Sequence, residues 1–154
     1  MHEYRRILAV VDFTDSGRAV ARRALGLARL GQAELLLLHL IEPTADLDGG
    51  YPQPSRKTSQ QSYEAEGLRR LDFFAATLGA DEAILQVRYG QPRAAFVDCI
   101  AAWQPDLVVA DNDPGHLGGR HDLLTLGRSH GGRLMRLFMH LIGSASFTKA
   151  SIGS

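Results

Sequence analysis

Two aspartates stand where a parallel-sheet protein does its chemistry. Asp12 closes the apolar run ILAVV of residues 7–11, and Asp111 follows a second run, LVVA, at residues 107–110. A carboxylate at the end of a buried strand can accept hydrogen bonds from a ribose or base edge, or hold a divalent cation. Its competing role is to cap the turn that follows; the two roles stand level for Asp12, and capping is favoured for Asp111. Beyond Asp111 the stretch NDPGHLGGRHDLLTLG supplies Gly115, Gly118 and Gly127, with Arg120, Arg128 and Ser129 beside them. Glycines let backbone N–H groups approach phosphate oxygens, and a following helix N-terminus adds a favourable dipole. The general phosphate-loop patterns GxxxxGK and GxGxxG are both missing, so as a generic phosphate loop this segment is a weak signal.

Other reactive residue types are poorly placed. His116, His121, Asp113 and Asp122 are near one another in sequence, but no HExxH spacing or cysteine pair joins them. Solvated loop histidines are therefore expected, not a metal centre. Cys99 falls inside an expected helix, between Asp98 and Ile100, where a small packing residue belongs. Ser16 has no base at a fixed spacing and reads with Asp15 as a helix cap, not as an acyl-transfer nucleophile. Trp103 is expected to anchor the core or an interface.

Composition limits the partners. The 154 residues, 45% hydrophobic, suffice for one α/β domain and nothing larger. Seventeen basic residues balance seventeen acidic ones, so no global field draws the chain to nucleic acid or an anionic membrane. The balance is uneven, because from Gly115 to Ser154 five cationic residues face Asp122 alone, a formal +4 against −4 for the rest. That basic stretch lacks a pattern of interleaved aromatics, and no nucleic-acid partner is expected. A lone cysteine cannot close an intrachain disulfide, and MHEYRRIL has no signal-like apolar stretch. The longest apolar run falls far short of the about 20 residues that cross a bilayer. A cytoplasmic location with no membrane partner is the expectation.

The elements that must hold these residues follow from periodicity. Short β-branched or leucine-rich runs at 7–12, 34–41, 83–89 and 107–110 read as strands, the second too uniformly apolar for anything but a centre covered on both faces. Between them, apolar residues at three- and four-residue steps predict helices over 18–30, 62–78 and about the Phe96–Trp103 stretch, with Gly31 and Gly79 as stops. Residues 42–61, rich in Pro and Gly, predict a long connection. After Asp111 a helix capped by Ser129 and running to Ile142, then a strand at 147–152, complete the expectation. Alternation of this kind implies right-handed crossovers and a doubly wound, mainly parallel sheet with helices on both faces.

The order and spacing of these pieces carry a resemblance. ILAVVDFTDSGRAVARRALGLARLGQAELLLLHLIEP resembles the opening of a universal stress protein domain, and YGQPRAAFVDCIAAWQPDLVVA resembles that family's third strand, Gly-x-Pro turn, third helix and fourth strand. The resemblance implies a five-stranded sheet of order 3-2-1-4-5, a cytoplasmic homodimer pairing through the fifth strand, and a non-catalytic stress-response module. One branch of the family binds ATP, with Mg²⁺, through Gly-x-x-Gly, nine residues, then Gly-Ser or Gly-Thr; the other lacks that motif. Here Gly115 and Gly118 fit, but Gly127 follows after eight residues and Arg128 intervenes before Ser129. By this resemblance Asp12 and the Leu40 backbone address an adenine nucleoside, while Gly115, Gly118, Gly127 and Ser129 face phosphate. A second register pairs Ser129-His130-Gly131 and Gly143-Ser144 with the motif, at the cost of an insertion of about 20 residues, which loop lengths disfavour. An ATP-independent dimer and a metal-assisted phosphate-ester hydrolase built on Asp12 are the competing readings.

Overall fold

The computed structural model describes residues 3–43, 56–127 and 148–149. Along the chain run β1 (Arg6–Val10), α1 (Asp15–Gly31), β2 (Glu34–Ile41), α2 (Arg56–Thr77), β3 (Ile84–Tyr89), α3 (Pro92–Trp103), β4 (Leu107–Ala110), β5 (Asp122–Thr125) and β6 (Thr148–Lys149). Five strands lie parallel in the order β3-β2-β1-β4-β5, and β6 joins β5 antiparallel.

Strand geometry sorts the core into two layers, because successive side chains point to opposite faces. Ile7, Ala9, Leu35, Leu37, Leu107 and Val109 face α1 and α2, where they meet Val20, Ala24, Leu71 and Phe74. Leu8, Leu36, Leu38 and Val108 face the other way, against Phe96, Cys99 and Ile100 of α3. The run of four buried leucines in β2 is thus explained: two serve each layer. At the opposite end of the sheet from the strand tips, Asp106 ties β1 to β4, its two carboxylate oxygens accepting from the Arg5 and Arg6 N–H groups at 2.8 and 2.9 Å.

Several boundaries differ from expectation for local reasons. The cap of α1 is Thr14, whose hydroxyl accepts from Gly17 N at 3.2 Å, while Asp15 and Ser16 lie in the first turn. Its stop is Gln32 in the left-handed region at φ 54°, one residue after Gly31. Helix α2 begins at Arg56, inside the connection expected over 42–61, and Leu68 points to solvent, 45% exposed. Gly67 faces the sheet in its stead, since a Cβ there would stand 2.9 Å from Ile41 Cδ1.

The main correction concerns the fifth strand. It is formed by Asp122–Thr125, the apolar insert of the glycine-rich stretch, in register with Leu107–Ala110. Of the stretch expected over 147–152, residues 148–149 are described, and they form the two-residue β6. The signal was weak because residues 111–121 connect two parallel strands without a helix, whereas periodicity looks for one. The helix expected from Ser129 to Ile142 lies outside the described residues.

The layered core makes a quantitative forecast. Leu37 is fully buried and Leu30 is 86% exposed. Urea unfolding of Leu37→Ala should show a loss of about 2–5 kcal/mol, and Leu30→Ala a change within about 0.5 kcal/mol; equal effects would refute the layer assignment.

Candidate functional site

The helices change sides between β1 and β4. Helix α1 leaves β1 toward one layer and α3 enters β4 from the other, so among the described residues neither helix covers the strand tips where the two part. This is the position at which open α/β sheets bind ligands. A crevice of about 290 Å³ opens there, with Asp12, Asp111 and Asn112 as its polar groups and Val10, Leu40 and Phe96 among its apolar ones.

Asp12 serves both roles open to it. Its Oδ1 accepts from Thr14 N at 3.0 Å and from the Thr14 hydroxyl, closing an Asx turn into α1, while the residue stays exposed at the crevice. Gly17 permits the fit: a Cβ there would stand 2.0 Å from the Asp12 carbonyl oxygen and 2.4 Å from Oδ1. Across the crevice, the β4–β5 ladder continues beyond both strands. Leu126 N donates to Ala110 O at 3.1 Å and Gly127 N to Asp111 O at 2.7 Å.

The expected residues therefore separate into groups. Asp12, Leu40 and Asp111 line one crevice, and Gly127, at φ +71°, is bonded to its lip. Gly115 adjoins the lining residue Pro114. Gly118 lies between Leu117, packed in the α3 layer, and Gly119, whose added Cβ would meet Ile100 Cγ2 at 3.0 Å. Gly118 is thus carried down the side of α3 and is not among the crevice-lining residues. Ser129 lies outside the described residues.

Two residues here had no role assigned from the sequence, although His39 with Leu40 matches the pair that ends the family's second strand. Arg93, in the first turn of α3, donates through Nη1 to Pro114 O at 2.8 Å and through Nη2 to His116 O, clamping the turn that Gly115 N makes on Asp113 Oδ1 at 2.8 Å. No spacing in the sequence marks it; only its place after the β3 turn, at the strand-tip end of the sheet, could have drawn notice. His39 holds Val11 O with Nδ1 at 3.0 Å and packs its ring on Phe13 at 4.4 Å between centroids. Burial lowers its pKa, against the opposing pull of the Val11 carbonyl and Asp12.

Two further residues behave differently from a reactive centre. His121 is not a solvated loop histidine but is 4% exposed, and burial lowers its pKa as well. The Cys99 thiol is fully buried, donates to Gln86 Oε1 at 3.4 Å and is pushed up by desolvation, so it is a packing group. Among the described residues no cluster of three or more His, Cys, Asp or Glu is arranged to hold a metal ion, and no helix is long and apolar enough to cross a membrane.

Comparison with known families decides the relationship, because the profile of the Universal stress protein family matches residues 3–146. The chain belongs to the universal stress protein family. No curated protein matches it by sequence. Solved structures share the fold of this universal stress protein family member. The hypothetical protein MJ0577 aligns with a TM-score of 0.60 at 14% identity, over 84% of this chain and 99% of its own. A family protein from Burkholderia pseudomallei gives 0.51 at 16%, covering 92% of each chain. The universal stress protein UspA from Lactobacillus plantarum gives 0.50 at 24%, over 71% of this chain and 78% of that one.

Half-buried His39 and buried His121 set how the family member's stability depends on pH. Each has a folded pKa below its unfolded value, so the unfolded chain takes up the proton first as pH falls. Stability should hold above the ordinary histidine range near about 6.5 and decline as pH drops below it toward the folded values. Denaturation midpoints between pH 8 and pH 5 check this, and His39→Gln should flatten the slope; a rising midpoint toward pH 5 would refute it.

Proposed function

We propose that this chain is a non-catalytic stress-response module that binds an adenine nucleotide at the β1–β4 crevice. The observation that carries the reading is the meeting of Asp12, Leu40 and the Ala110–Asp111 lip around one cavity, with Gly127 N bonded to that lip. In this reading Asp12 Oδ2 accepts from the ribose, since Oδ1 is engaged by Thr14. The Leu40 backbone addresses the base, and Val10, Phe96 and Ala110 supply the apolar surface on which the base rests. The phosphates extend toward Gly127 and Ser129. Gly115 lies on the same side of the crevice, on the turn that Arg93 clamps, while the position of Gly118 beside α3 argues against a part for it.

The fold also supports the second register of the motif. The segment 111–121 and β5 supply most of the additional chain which that register requires. In the sequence Ser129-His130-Gly131 begins four residues after the last residue of β5, and Gly143-Ser144 falls within the family match. A carboxylate near a triphosphate is unfavourable unless a cation stands between them. Asp111 on the lip is the reason to include Mg²⁺ with the ATP.

The partner we propose is a second copy of the chain. Pairing through the fifth strand would use the outer edge of β5, where β6 meets Asp122 and Leu123. Light scattering at micromolar concentration should give twice the 16.8 kDa chain mass; a single-chain mass would reject the dimer. For the nucleotide, isothermal titration with MgATP should show 1:1 binding, weakened about 10- to 100-fold by Asp12→Ala, the loss of a hydrogen bond to a charged group. No heat at millimolar nucleotide would overturn this reading in favour of the ATP-independent dimer.

A further inference from the structure

A second pocket, of about 510 Å³, opens on the α1/α2 side of the sheet. Its lining combines Phe13, Phe73 and Phe74 with Arg18, Arg69 and Arg70. Phe74 is buried and forms the floor, and Phe13 meets it edge-on at 5.7 Å between centroids. Arg18 stands 5.7 Å from the centre of the same ring. Phe73, on the rim, is 73% exposed. Folding gains little from holding a phenylalanine in water beside three cations.

Charge selects the occupant. Among the described residues the lining contains no carboxylate. Glu66, one turn back on α2, pairs with both Arg69 and Arg70, the latter at 3.2 Å, so the two guanidinium groups share one carboxylate. The shared carboxylate also holds the two guanidinium groups together on the Phe73 side of α2. Rings that offer flat faces and edges favour another aromatic ring over a flexible chain. Guanidinium groups in fork geometry favour a carboxylate, sulfonate or phosphate. The volume lies within the range of small-molecule sites.

We propose that this pocket binds a small anion with a planar aromatic body, its ring among Phe13, Phe73 and Phe74 and its acidic group on Arg18 and the Arg69–Arg70 pair. The site is distinct from the nucleotide crevice: among the described residues none lines both. It does not depend on the nucleotide reading.

The test titrates the full chain with 1-naphthoate in a calorimeter. Saturable 1:1 binding is expected, at least tenfold weaker for Phe73→Ser and for Arg18→Gln, and at least tenfold weaker for the uncharged 1-naphthylmethanol with the unmodified chain. Phe73 is exposed enough that its replacement leaves the core intact, and Arg69→Gln provides an independent variant should Arg18→Gln fold poorly. MgATP titration of Phe73→Ser should match that of the unmodified chain, which separates failure at this pocket from failure at the crevice. Absent or non-saturating naphthoate heat, equal affinity for the neutral alcohol, or unchanged binding in the variants would overturn the proposal.

Discussion

The structure depends on a strand buried on both sides. Ile7, Leu8 and Ala9 of β1 have no exposed surface, so helices must cover both faces of the sheet at its centre. A right-handed crossover puts α1 and α2 on one face when the chain moves outward from β1 to β2 and β3. The same handedness puts α3 on the other face when the chain returns to β4. The gap at the tips of β1 and β4 is the geometric remainder of that reversal. At that gap Asp12 and Asn112 stay exposed, while Phe96 beneath them packs in the α3 layer.

Within the gap, local chemistry sets the detail. An aspartate that ends a buried strand immediately before a helix needs an outlet for its charge. Thr14 supplies one through its N–H and hydroxyl, and then uses the same hydroxyl to accept from Gly17 N. Gly17 is required because the Asp12 backbone occupies the space a side chain would fill. Strand tip, cap and first helical turn thus form one hydrogen-bonded unit, a rigid setting that lowers the ordering cost of a ligand held there. On the far lip Arg93 performs a comparable service for the 113–116 turn, with a longer arm.

Much of this was legible in the sequence because it lies in short-range pattern. The doubled burial of Leu35–Leu38, the Gln91-Pro92 helix start and the Asp12 strand ending are each fixed by neighbours a few residues away. β5 was less legible because four residues inside a glycine-rich stretch become a strand only when Leu107–Ala110 is beside them. The burial of His121 and the reach of Arg93 across to Pro114 are likewise long-range facts, invisible until the 111–121 connection is laid along α3. The two cations and two aromatics that α2 sends to the second pocket read in sequence as an ordinary amphipathic helix.

The alternation of β1 continues beyond its last paired residue. Val11 packs with the α1/α2 layer, Asp12 opens on the crevice and Phe13 returns to the helical layer against Phe74. One peptide plane therefore divides two compartments of opposite character, the first acidic and wet, the second aromatic and cationic. Their separation is a matter of parity: removing a single residue before position 12 would exchange their contents, driving an acid among rings and a ring toward water. The single-residue step from Asp12 to Phe13 admits no compromise length, and a one-residue insertion or deletion at this bend would disable both compartments together.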